Sequence, residues 1–202
     1  MRDHLVTDEA QTNAALAAMH RTTETRDSTS WYEALDCALT GLPGGEMVAL
    51  AEYWLRVGLD TFERLHPDQP WPRRVLDGHT DDSVIECTGP GGNNFVSGVE
   101  HLVESRVQID HPRACRTSVV DAIGEAIMAV KVATWGRLYP ERWQQWYSDS
   151  YALEPKRYRC GEGPMDRWSE HPQVALIERQ SRTQLADQIA AAWRRVREDD
   201  GR

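Results

Sequence analysis

The stretch EMVALAEYWLRVGLDTFERLHPDQPWPRRVLDG, Glu46 to Gly78, decides the fold. Met47, Leu50, Ala51, Trp54, Val57, Gly58, Thr61, Phe62 and Leu65 recur at steps of three and four, which places them on one face of a 3.6-residue helix. On the opposite face Glu52, Arg56, Asp60 and Arg64 alternate in sign at four-residue steps, the spacing of solvated ion pairs. Pro67, Pro70 and Pro72 then forbid continuation, because each lacks an N–H and disfavours helical geometry in the residue before it. Pro72 suits the first turn of a second helix. The segment predicts a helix, a proline corner and a new helix, with Trp54 facing a core and Arg56 facing water.

Working outward, the same periodicity predicts helices along most of the chain. Thr7 and Asp8 can cap a first helix running to about His20. The polar run Arg21 to Ser30 has no apolar period and reads as a linker, with Ser30 and Glu33 forming a capping box for the helix that follows. Beyond Gly78, the Gly-, Asp- and Asn-rich run to Asn94 predicts an irregular loop. Phe95, Val99, Leu102, Val103 and Ile109 then mark another amphipathic helix. His111-Pro112 opens the next, in which Val119, Ala122, Ile123, Ala126, Ile127, Val130 and Ala133 share a face. Its small residues predict a central position, where neighbouring backbones approach closely. Residues 152–166 read as irregular, and a long helix after Pro172 carries Ile177, Leu185, Ile189, Trp193 and Val196 inward. No period-two alternation appears. The expectation is an all-α, multi-helix bundle with irregular loops near 78–94 and 152–166. It divides into an N-terminal helical extension with its linker (1–30), a bundle domain (31–197) and a frayed tail (198–202).

A chain of 202 residues can bury a substantial core, and its formal charge of −9 disfavours nucleic acid, whose recognition needs a basic face. It permits a basic protein partner drawn in by electrostatic steering. No 18-residue apolar run and no export signal is visible, so a cytoplasmic protein that does not enter membranes is expected. Cys37, Cys87, Cys115 and Cys160 are widely separated, with no C-x-x-C pair, and read as four free thiols.

Few residues suggest chemistry. The seven histidines are scattered, although Glu100, His101 and Glu104 sit near one another on a helix, where a carboxylate can orient an imidazole. A solvated helix face explains them too. His111 and Cys115 form an H-x-x-x-C arrangement that resembles the haem-attachment pattern of certain helical aromatic-amino-acid hydroxylases. The same residues also suit a helix start followed by a small buried thiol. Gly89-Pro-Gly-Gly92 reads as a turn, since Pro90 lacks the N–H that a phosphate cradle would use. The strip from Trp135 to Arg159 is dense in Trp, Tyr and Arg, the types that dominate binding hot spots. Trp143, Trp146 and Arg157 are its candidate partner-binding anchors. No cofactor is expected.

The passage LDTFERLHPDQPWPRRVLDG, Leu59 to Gly78, resembles the helical immunity proteins of bacterial polymorphic toxin systems. Phe62, Glu63, Pro67, Asp68, Pro72, Arg73, Leu76 and Asp77 fit the corner of that family, with alanine-rich helices following and a final helix similar to Ile177 to Ile189. The resemblance implies a non-enzymatic binding protein that neutralises a basic toxin by occlusion, with no catalytic set to carry over. The alternative is a small helical enzyme of specialised metabolism, using haem or a metal through His111 and Cys115.

Overall fold

Helix stops before Pro67 and starts again at Trp71, and charged side chains tie the two pieces together. The computed structural model describes residues 2–65, 67, 71–77, 90–141 and 171–200; within them the side chains of 2–8, 62, 65, 71, 75 and 200 are not described. Helix α3 (Gly44–Leu65) follows Pro43, with Glu46 in its first turn and Arg64 in its last, each charge complementing the helix dipole. The short α4 (Trp71–Leu76) turns back beside it. Two guanidiniums close the turn. Arg73 donates from Nε and Nη2 to the two carboxylate oxygens of Glu63, both at 2.7 Å. Arg56 donates to Glu52 at 2.8 Å, to Asp77 at 3.0 Å and to the Leu76 carbonyl at 2.6 Å. Arg56 is therefore more than one of a row of solvated charges, because it satisfies a carbonyl at the end of α4. Arg64, by contrast, donates to the main-chain oxygen of Asp60 and not to its carboxylate.

Before the corner lie α1 (Arg2–Thr25) and α2 (Ser28–Leu39); after it come α5 (Gly92–Val107), α6 (Pro112–Leu138) and α7 (Pro172–Asp200). All seven elements are helices, and no strand occurs among the described residues: the fold is all-α.

Helix α6 is the axis. It packs against α2, α3, α5 and α7, and is buried on nearly every side. Ala122, Ala126, Ala129 and Ala133 provide the small volume that such crowding demands. On α3 the buried arc holds Met47, Leu50, Ala51 and Trp54 as the periodicity predicts, and extends to Leu55 and Leu59. Val57 was expected inside but is 47% exposed. Because α3 is wedged between α5 and α6, its covered arc is wider and rotated away from Val57.

The run expected as a linker is helical to Thr25. The connection is only Arg26 and Asp27, with Arg26 at φ +58°. Asp27, not Ser30, caps α2: its Oδ1 accepts from the Ser30 amide at 3.1 Å. Ala15 and Met19 of α1 join the same core as α2, α3, α5, α6 and α7. From α7, Leu185, Ile189 and Trp193 close that core, and Trp193 Nε1 donates to the Ala38 carbonyl at 2.9 Å. Among the described residues no helix is long and apolar enough to cross a membrane.

Candidate functional site

Three helices leave an acidic cleft of about 400 Å³ between them. Helix α2 contributes Tyr32, α5 contributes Asn94 and His101, and α6 contributes Asp121, Gly124, Glu125 and Met128. The spacing explains the lining: positions 121, 124, 125 and 128 share one face of α6, and 94 and 101 lie two turns apart on α5. Gly124 makes the close approach of α2 possible. A Cβ there would lie 2.7 Å from the Tyr32 hydroxyl, so any larger residue would push the phenol off the cleft floor.

The polar groups are held in place. Asn94 Nδ2 donates to Glu125 Oε2 at 2.7 Å. His101 Nδ1 pairs with Glu104 Oε2 at 3.1 Å, which sets the ring so that Nε2 is its remaining nitrogen. Asp121 is exposed and makes no ion pair among the described residues, and no Lys or Arg is among the lining residues described. Burial pushes the Tyr32 phenol above its ordinary range. Arg182 opposes that shift, while Glu125, Glu178 and Asp121 reinforce it. The hydroxyl therefore stays protonated, in a cleft it shares with Asp121 and Glu125. The arrangement suits a cation carrying several N–H donors.

Tyr32 also borders a buried ionic cluster. Its ring meets Trp31 edge-on at 5.1 Å, and the Arg182 guanidinium lies over Trp31 at 4.6 Å. Glu178 Oε1 accepts from Lys131 Nζ at 2.8 Å and from Arg182 Nη2 at 2.7 Å. The side chains of Lys131 and Arg182 are only 6% and 4% exposed. Desolvation lowers the pKa of both cations, even though Glu178 favours their charged forms.

The sequence candidates fare unequally. His101 and Glu104 come together as their spacing suggests. His111 and Cys115 do not: His111 is exposed before α6, whereas Cys115 is fully buried in the core, where burial pushes its thiol up. Cys37 and Cys115 are both free. No group of three metal-binding side chains occurs among the described residues. Gly91, at φ +80°, is not merely a turn residue. Any Cβ there would strike the Ala129 carbonyl, so Gly91 lets the start of α5 press onto α6. Trp143, Trp146 and Arg157 lie outside the described residues, as do Cys87, Cys160 and residues 152–166.

Tyr32, Asn94, Asp121 and Glu125 were not legible as a site. Their one signal is the glycine inside α6, flanked by carboxylates four residues apart amid apolar residues. Comparison of the chain with protein-family models, with characterised proteins and with solved structures returns no match.

Proposed function

We propose that the protein acts by binding, and that the cleft between α2, α5 and α6 receives a basic side chain of a protein partner. One observation carries this reading: Asp121 and Glu125 face a concave site whose described lining holds neither Lys nor Arg. The chain's net charge of −9 would steer such a partner toward it. Occlusion of a basic toxin, as in the immunity proteins that the corner segment resembles, is the specific form of binding we put forward. The corner residues themselves support the architecture, since Glu63, Arg73, Asp77 and Leu76 secure α4 against α3.

The test separates the cleft from generic attraction. Titration of an arginine-containing peptide is followed by calorimetry and by amide shifts at Asn94 and Gly124. It is repeated with Asp121→Asn/Glu125→Gln and with a control pair of equal charge change, Glu24→Gln/Asp187→Asn. Loss of one good charge-assisted contact is worth about 1.5–3 kcal/mol, so the cleft variant should bind at least about tenfold more weakly than the control. Equal weakening in both variants would reduce the effect to net charge and overturn the reading.

A further inference from the structure

Two donors buried at the junction of α2 and α7 find no acceptor among the described residues: Arg182 Nη1 and Trp31 Nε1. They belong to side chains in direct contact, with the guanidinium carbon 4.6 Å from the Trp31 ring centre, and both residues are almost completely buried. The other terminal nitrogen of Arg182, Nη2, is committed to Glu178 Oε1 at 2.7 Å and Ser28 Oγ at 2.9 Å, so Nη1 cannot borrow those partners. An unsatisfied buried donor costs about 1–3 kcal/mol, and two in one contact pair are rare in a folded protein.

From this we infer that Arg182 Nη1 and Trp31 Nε1 form a buried seat for a small monovalent anion of halide size. The chemistry favours an anion over a neutral acceptor. Guanidinium and indole nitrogens only donate. A water placed between them would bring two hydrogens that need acceptors of their own, whereas a halide brings none. One donor is also formally charged, and a charged donor bonds an anion about twice as strongly as a neutral pair does. The nearby Asp27, which attracts Arg182 across the α1–α2 turn, is exposed and hydrogen-bonded to Ser30, so it does not take this place. The seat is separate from the acidic cleft and does not depend on the function proposed for it.

The experiment compares sodium chloride with sodium gluconate at equal ionic strength, followed by thermal unfolding. A halide bound to the folded state alone raises the midpoint in chloride, by about 2–4 °C once the seat is well occupied, and the rise saturates. Trp31→Phe keeps a ring beneath Arg182 but removes the Nε1 donor, and should abolish the chloride-specific rise. If that variant fails to fold, a bromide-soaked crystal of the unaltered protein decides, through an anomalous peak within hydrogen-bonding reach of both nitrogens. Equal midpoints in the two salts, a full chloride effect in Trp31→Phe, or a water only at the seat would each overturn the inference.

Discussion

Two assemblies of charge hold this bundle, and their distances are nearly the same. At the corner, Glu52 pairs with Arg56 at 2.8 Å and with Arg106 at 3.0 Å, and Glu63 pairs with Arg73 at 2.7 Å. At the α6–α7 contact, Glu178 pairs with Lys131 at 2.8 Å and Arg182 at 2.7 Å. What differs is water. The corner side chains are 29–49% exposed, those of the buried cluster 4–11%. Exposed charges lose little solvation on pairing and gain little from it. Buried charges are costly to assemble, and costlier to leave incomplete. Pair length therefore says almost nothing about what a pair is worth here, and exposure says nearly everything.

Breaking each assembly sharpens that contrast. The largest loss is expected for Glu178→Gln, which leaves Lys131 and Arg182 buried without their shared carboxylate. About 3–5 kcal/mol of stability should disappear in denaturant unfolding. A loss under about 1 kcal/mol would mean that water reaches the cluster and that the two regions are alike after all. Arg56→Ala is expected to cost about 1–2 kcal/mol, above the norm for an exposed pair, because the Leu76 carbonyl loses its 2.6 Å donor and keeps only the 3.5 Å contact from Arg106, while Asp77 and Glu52 each lose an ion pair.

Smallest is Glu63→Gln, which should cost under about 1 kcal/mol and still less in 1 M salt. Its pH dependence has a definite sign. The Arg73 hydrogen bonds hold Glu63 below the 4.5 of an ordinary glutamate. At Glu52 burial pushes the carboxyl up, but the bonds from Arg56 and Arg106 outweigh it, so this group too lies below 4.5. The stability these groups contribute is complete above about pH 4.5 and drains away as the pH falls through their lower folded-state values. The difference between the parent protein and Glu63→Gln should therefore vanish in strong acid. A difference that grows in acid would contradict the pairing.

What the sequence made legible follows from periodicity and punctuation. The face of α3 through Trp54, the stop at Pro67 to Pro72 and the central place of α6 each rest on local spacing, which one strand of text records. The α1–α2 turn was misplaced because Asp27 and Ser30 are both good caps, and only the backbone at Arg26 distinguishes them. Val57 was misplaced because helical spacing fixes a direction but not the width of the arc that neighbours cover. Lys131 was invisible for a different reason. Amid Val130, Val132 and Ala133 it looks like a surface interruption, and its carboxylate partner sits on another helix whose docking no local pattern encodes. The cleft is similar: its lining comes from three helices, and only Asp121, Gly124 and Glu125 on α6 lie near enough in sequence to leave a trace.

The position of Glu178 also has a consequence for the order in which the chain matures. Translation delivers α6, with Lys131 in its apolar surroundings, well before α7 leaves the ribosome. Until Glu178 arrives, burial of α6 along that face desolvates the Lys131 ammonium without this carboxylate. The helices described before α7 thus carry a built-in reason to remain loosely packed, and α7 supplies the charge, the Arg182 latch and the Trp193 anchor together. Docking of α7 is then the step that completes the buried charge cluster and closes the core at once.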